Sequence, residues 1–283
     1  MKLESNSRSS LVSLILPTYN EKDNIIPLIE EINNELKDCQ YEIIIVDDNS
    51  PDGTQQVVKE YHCPRVKILV NRERVGLAAS IRIGIEGSRG NLIVVMDSDF
   101  NHQPQYLRFM IDSLQYADCV SASRFLGAPA MENRVYQFFT RLFNVFTRVM
   151  VKGGMTDYFY GFFALKRSCF ERISLASVFY GYGDYYMRLI FKLEKVDRRI
   201  LEFPAVNGRR LSGTGNRDLG GVFFRYFSEV IKLSFTELFL SKYIKEAQYS
   251  RTHFSLINGL EEMSTSRFHL KKFKEKRDDD SSL

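Results

Sequence analysis

Apolar residues fall into two rhythms along this chain. From Leu11 to about Asp118, short and nearly unbroken apolar runs alternate with stretches in which apolar positions recur every three or four residues. The runs Leu11 to Leu16, Ile43 to Val46, Val66 to Val70 and Leu92 to Met96 have strand length, and their continuity predicts strands buried on both faces of a parallel sheet. Between them, Ile25, Leu28, Ile29, Ile32 and Leu36 form one helical stripe, so a first helix is expected from about Asn24 to Leu36. A second is expected after the turn Asn49 to Gly53, with Thr54 as its N-cap. A third covers Leu77 to Glu86, and a fourth begins at Pro104, a residue suited to a first helical turn. Strand and helix in alternation predict βαβ units in an open sheet.

After Arg124 the rhythm becomes purely helical and rich in aromatics. Between Tyr136 and Val151 one face carries Phe138, Phe139, Leu142, Phe143, Phe146, Val149 and Met150, and the other Gln137, Arg141, Asn144 and Arg148. Such a segment suits either burial against the sheet or the headgroup boundary of a membrane. Val222 to Leu240 is similar and greasier, and is followed by Lys242 and Lys245. Charged residues interrupt it, so no window of about 18 apolar residues exists and no span of a bilayer is expected. The organisation read from these patterns is a flexible stretch 1–10, an α/β domain 11–218, an amphipathic segment 219–245 and a polar tail 246–283.

Composition narrows the chemistry. With 283 residues, 44% of them hydrophobic, the chain can bury a full core. A net charge of +4 is too mild to indicate nucleic acid. Cys39, Cys63, Cys119 and Cys169 form no CxxC pair, and the four histidines are dispersed, which argues against a zinc site. Residues 1–10 lack the apolar core of a signal peptide, so reduced thiols in the cytosol are expected.

In an open α/β sheet, ligands lie beyond the carboxyl ends of the strands, and the polar clusters fall there. Pro17 to Glu21 follows the first run, Asp47 to Ser50 the second, and Asp97-Ser98-Asp99 the fourth. In an extended chain, residues i and i+2 project to one side, so Asp97 and Asp99 can face one hard cation, Mg2+ or Mn2+, able to neutralise a departing diphosphate. Two adjacent acids at Asp47 and Asp48 repel each other, so at least one is expected to face solvent or a hydrogen-bonding ligand such as a ribose or a base edge. No GxGxxG follows the first strand, which disfavours a dinucleotide-binding dehydrogenase.

Four ordered segments, VSLILPTYNE (Val12 to Glu21), IVDDNSPDGT (Ile45 to Thr54), Gly76-Leu77-Ala78 and MDSDFNHQP (Met96 to Pro104), resemble glycosyltransferase family 2, and within it the polyprenyl-phosphate glycosyltransferases. The resemblance covers residues 11 to about 217. It implies an α/β, GT-A (Rossmann-like) open and mostly parallel sheet flanked by helices, with amphipathic membrane-surface helices. It places Pro17, Tyr19, Glu21, Asp47, Asp48 and Gly76 around the nucleotide, and Asp97, Asp99 and Asn101 on the metal. Ser123-Arg124-Phe125 matches the family's Ser-Arg-aromatic segment, which makes Arg124 a grip for phosphate, a task that suits guanidinium.

Further along, the family's Asp-x-x-Ser-Gly-Phe reads Asp157 to Phe162, with Tyr160 in the serine position. Its Arg-x-x-Gly-x-Ser-Lys reads Arg210 to Asn216, so serine and lysine are lost and Arg217 stands one position later. Arg210 and Arg217 are thus expected on substrate phosphate. The Glu-Asp base expected of enzymes that glycosylate a sugar hydroxyl is reduced to Gly183-Asp184, and Asp184 either takes part in catalysis or starts a helix. A phosphate acceptor needs no such base, because its second pKa is about 6 and it arrives as a nucleophile.

These features together imply an inverting transfer of mannose or glucose from a GDP-mannose or UDP-glucose type donor to a polyprenyl or dolichyl phosphate. The expected setting is the cytoplasmic face of a membrane, peripheral or monotopic, with a membrane-anchored partner subunit as a further expectation. A saccharide acceptor, or a silent nucleotide-binding protein, are the competing readings.

Overall fold

The computed structural model describes residues 10–127, 134–208 and 221–239. Seven strands form one sheet: β1 (Val12–Thr18), β2 (Tyr41–Asp47), β3 (Val66–Val70), β4 (Leu92–Val95), β5 (Cys119–Ser123), β6 (Phe163–Lys166) and β7 (Ile200–Pro204). Their order is β3-β2-β1-β4-β6-β5-β7. All neighbours pair in parallel except β6, which runs antiparallel to both β4 and β5. The helices are α1 (Lys22–Glu35), α2 (Thr54–Glu60), α3 (Leu77–Glu86), α4 (Leu107–Ser113), α5 (Arg134–Val151), α6 (Tyr185–Lys195) and α7 (221–239).

The chain divides into one unit up to Leu233 and a second from Ser234 onward, of which only 234–239 are described. The packing that follows concerns the first. The domain boundary expected at 218, Arg210, Arg217, the basic pair Lys242 and Lys245, and the polar tail lie outside the described residues, as does nearly all of the 1–10 stretch.

The central strands are apolar at every step because each side of the sheet is covered. Leu14, Leu16, Ile43, Ile45 and Val94 pack with α1 and α4, whereas Ile15, Ile44, Val46, Ile93 and Val95 pack with α3 and α6. Successive side chains point to opposite faces, so two cores need two interleaved apolar sets, and the sum reads as an unbroken run. The exception, Ser13, is buried with Glu42, whose Oε1 accepts from Ser13 Oγ at 2.8 Å.

Two local expectations are corrected. Pro17 and Thr18 belong to β1 rather than following it. Pairing of β1 with β4 stops at Ile15 and Val95, so the missing Pro17 N–H removes no rung, and the Pro17 carbonyl accepts from Ser98 Oγ at 3.0 Å. Thr54 is the first residue of α2, not its cap. The cap is Gly53 at φ 92, and Thr54 Oγ1 instead accepts from the Glu21 N–H at 3.1 Å, which ties the ends of β1 and β2 together.

The larger surprise is α5. Its buried residues are Asn144, Thr147 and Val151, while Phe138 and Phe139 are 64% and 61% exposed. Of the polar face Asn144 turns inward while Arg141 and Arg148 stay exposed, because Asn144 satisfies buried backbone: its Oδ1 accepts from Tyr158 N at 2.7 Å and its amide donates to Thr140 O at 3.1 Å. The aromatic stripe is left to an interlock with α7, where Phe143 lies 5.2 Å from Phe223 and Phe146 stacks on Phe227 at 5.8 Å. The outer part of the stripe remains open, with Val135, Leu142, Val145 and Val149 exposed beside the two phenylalanines.

Candidate active site

The site lies at the carboxyl ends of β1, β2 and β4. At β2, Asp47 and Asp48 are both buried, so of the two surroundings expected for such a pair, solvent and a hydrogen-bonding ligand, solvent is excluded. Each has its own donors, which is how adjacent carboxylates tolerate burial. Asp47 Oδ1 accepts from Ser50 N and from Gln55 Nε2, both at 2.9 Å. Its Oδ2 has no partner among the described residues although it is buried. Asp48 binds the next segment: Oδ1 accepts from Val75 N at 2.8 Å and Asn71 Nδ2 at 3.0 Å, and Oδ2 from Gly76 N at 2.9 Å. Asp48 therefore shapes the turn into α3.

After β1, the ring of Tyr19 is covered by the Arg74 guanidinium at 4.0 Å from its centroid. The Glu21 carbonyl accepts from Asn24 N and Ile25 N to start α1, and its carboxylate accepts from Asn24 Nδ2. These contacts bring Tyr19, Glu21, Asp48 and Gly76 to one end of the sheet.

Past β4 the chain makes a tight loop. Asp99 is buried and its carboxylate accepts from both the backbone N–H and the side-chain amide of Asn101 at 3.0 Å, whereas the Asp97 side chain is 39% exposed. Asn101 thus holds Asp99 in place. His102 is buried beneath, stacked on Phe162 at 4.8 Å. Its Nδ1 accepts from Asp97 N at 2.8 Å and its Nε2 donates to Tyr160 O at 3.1 Å, which defines a neutral ring. Desolvation pushes its pKa down to about 4.

Among the described residues, no group of three or more His, Cys, Asp or Glu side chains could hold a metal. Two carboxylates and an amide at a strand end nonetheless fit Mg2+ or Mn2+, hard cations that take few protein oxygens and complete their shells with water and substrate phosphate.

Arg124 is buried and bidentate to Asp157, with Nε to Oδ2 at 2.7 Å and Nη2 to Oδ1 at 2.9 Å. It also stacks on Tyr160 at 4.9 Å. The Tyr160 hydroxyl donates to Asn101 O at 3.2 Å, so the residue in the serine position links Arg124 to the acidic loop. Burial pushes that phenol's pKa up and keeps it a donor. Arg124 faces a cavity of about 710 Å3 walled by Tyr136, Phe139, Phe143 and Phe146 of α5 and Phe223, Tyr226 and Phe227 of α7. Asp184 is not an open carboxylate. Its Oδ2 is paired with Arg188 and its Oδ1 accepts from Tyr182 N at 2.8 Å.

Sequence reasoning placed Asp157, Tyr160 and His102 within motifs without giving them a role, and it missed Arg188. Only spacing within the motifs hinted at the first two, and a buried arginine has no sequence signature.

An open, mostly parallel seven-stranded α/β sheet flanked by helices gives the chain a GT-A fold. Residues 13–174 match Glycosyl transferase family 2, and the chain belongs to that family. It is similar to the dolichol-phosphate mannosyltransferase of Pyrococcus furiosus, 28% identical over 230 residues, covering 78% of this chain and 63% of that protein. It is also similar to the polyprenol monophosphomannose synthase of Mycolicibacterium smegmatis, 29% identical over 174 residues, 58% of this chain and 65% of that one. The chain thus spans somewhat under two thirds of either relative.

Among solved structures, glucosyl-3-phosphoglycerate synthase from Mycobacterium tuberculosis, in complex with Mn2+, UDP and phosphoglyceric acid, shares the fold at TM-score 0.64 and 16% identity, covering 81% of each chain. The same enzyme in complex with Mg2+ and UDP aligns at TM-score 0.63 and 15% identity, covering 81% of this chain and 82% of that one.

Proposed function

We propose that this family 2 glycosyltransferase moves a hexose, mannose or glucose, from a nucleotide sugar to a polyprenyl or dolichyl phosphate at a membrane surface, with inversion at the anomeric carbon. The observation that carries the reading is the aromatic cavity between α5 and α7, with buried Arg124 on its wall and Tyr160 linking that arginine to the loop of Asp97 and Asp99. A polyprenyl phosphate matches both properties: an apolar chain for the aromatic walls and an anion for the guanidinium. The names of the two curated relatives point the same way.

In this reading Tyr19, Glu21, Asp48 and Gly76 form the nucleotide side, and the unpartnered Asp47 Oδ2 accepts a base or ribose donor. Asp97, Asp99 and Asn101 hold Mg2+ or Mn2+, which supplies charge neutralisation for the diphosphate when bound. Arg124 orients the acceptor phosphate, whose oxygen is already ionised, so no general base is required. The pairing of Asp184 with Arg188 favours this acceptor over a sugar hydroxyl. Arg210 and Arg217, outside the described residues, are proposed from the family pattern to add positive charge for the substrate phosphate.

The open stripe of α5, with Arg134, Arg141 and Arg148 exposed along it, docks on the headgroup region, and no described helix is long and apolar enough to cross a membrane. Attachment then rests on this face or on a membrane-anchored partner subunit. The location proposed is the cytoplasmic face. Incubating the protein with a polyprenyl phosphate, Mn2+ and GDP-mannose or UDP-glucose, followed by mass analysis of the lipid, tests the reading. A glycosylated lipid phosphate supports it, and hydrolysis or saccharide extension alone refutes it.

A further inference from the structure

One buried cation, named so far only as the partner of Asp184, has no role of its own in the scheme above. Arg188, on α6, is 1% exposed. Its Nε donates to Val178 O at 2.9 Å, and its Nη2 donates to Tyr180 O. Its Nη1 pairs with Asp184 and, at 3.3 Å, with Glu229 of α7, and its guanidinium lies 3.6 Å from the centroid of the Tyr180 ring. One side chain therefore gathers segment 178–184, α6 and α7.

The gathered segment touches both halves of the site. On the nucleotide side, a β-carbon placed on Gly76 would stand 3.7 Å from Gly181 O. On the cavity side, Tyr182 is part of the wall, with the Arg225 guanidinium of α7 5.6 Å from its ring centroid. Gly183 is pressed against α7 so closely that a β-carbon there would come within 2.1 Å of the Tyr226 hydroxyl, and Tyr226 is itself a wall residue stacked on Phe159 at 5.1 Å. Buried carboxylates are tolerated only when paired, so removing Arg188 takes the shared buried cation from both Asp184 and Glu229. It leaves Asp184 to the Tyr182 N–H, and Glu229 to Lys232 Nζ and the Tyr180 hydroxyl at 3.5 Å each. A hydrophobic isostere would have held the helices more cheaply, whereas a planar fork with several donors fixes their register.

We infer that Arg188 is a positioning residue, which locks the α7 wall of the cavity to segment 178–184 and so sets the geometry in which the acceptor meets the donor. This rests on the acceptor reading of the cavity given above. The lock does not touch the reacting groups. Loosening it frees Tyr182, Tyr226 and Phe227 from their shared register, while the Asp48, Gly76 and Asp97 to Asn101 contacts remain.

The test uses the full chain with Arg188→Met, Arg188→Lys and Glu229→Gln. In steady-state assays with a short-chain polyprenyl phosphate, Arg188→Met and Glu229→Gln raise the acceptor KM about tenfold or more and leave the donor KM within about twofold, with Arg188→Lys intermediate. Hydrogen exchange of the unliganded protein then rises together in 178–184 and 221–233, and not in α1 to α3. A fall in kcat with both KM values unchanged, or faster exchange in 221–233 alone, overturns the inference. If Arg188→Met does not fold, Glu229→Gln carries both measurements. Absence of turnover in the wild type counts against the proposed function, and the exchange measurement still decides whether the clamp exists.

Discussion

Acid should weaken this protein through His102 in a way that can be calculated. The ring is buried, and its Nδ1 accepts from the Asp97 N–H, so a proton added there meets a donor rather than an acceptor. Burial holds the folded-state pKa at about 4 against an ordinary 6.5, although Asp99 and Asp157 pull it up, with Arg124 adding to the downward push. Because the folded value is the lower one, the unfolded chain takes up the proton first. Stability is complete above about 6.5 and is lost as pH falls from there to about 4.

At about 1.4 kcal/mol per pH unit, the full loss is about 3 kcal/mol, and most of it is reached by pH 4.5. The comparison is with His102→Asn, which keeps an acceptor in the ring's place but cannot titrate. Urea unfolding followed by tyrosine fluorescence at pH 7 and at pH 4.5 measures both proteins. The variant starts less stable, and the gap between the two narrows by most of that amount on acidification. Parallel pH profiles would refute the neutral, donor-facing assignment of the ring.

Other substitutions probe the rest of the site and surface. Asp99→Ala lowers turnover by about a thousandfold with the unfolding transition retained, and normal activity in that variant removes the metal assignment. Replacing Asn144 with Leu places an apolar residue on an amphipathic helix, yet it leaves Tyr158 N without its acceptor and costs about 2 kcal/mol in thermal or urea unfolding. A double change of Phe138 and Phe139 to Glu weakens sedimentation with anionic vesicles about tenfold while leaving the melting temperature within about 2 °C, because both rings are exposed. Gly208→Ala drives a β-carbon to within 1.9 Å of Phe100 O, which displaces the acidic loop and lowers donor binding in a calorimetric titration with UDP or GDP.

The amino-acid order by itself determined the repeated βα pattern, the first four strands to within two residues and the location of chemistry at their carboxyl ends. These follow from local rules: strands covered on both faces must be apolar throughout, and α1 needs its stripe at helical spacing. The placing of Asp97 and Asp99 just past β4 was legible from their position after an apolar run, whereas Asn101 was singled out only by the family resemblance. Strands β5 to β7 were not, because Cys119–Ser123 and Ile200–Pro204 are short, mixed segments whose pairing partners lie far along the chain.

Only tertiary structure decided which way α5 faces. A stripe of phenylalanines predicts burial on transfer energy alone, but the unpaired Tyr158 N–H beneath the helix needs an acceptor, and Asn144 supplies it. The same logic governs Arg124, Asp184 and Arg188. A sequence shows that such residues carry charge, and only the fold shows which opposite charge or carbonyl meets it in the interior, where low dielectric makes the pairing obligatory.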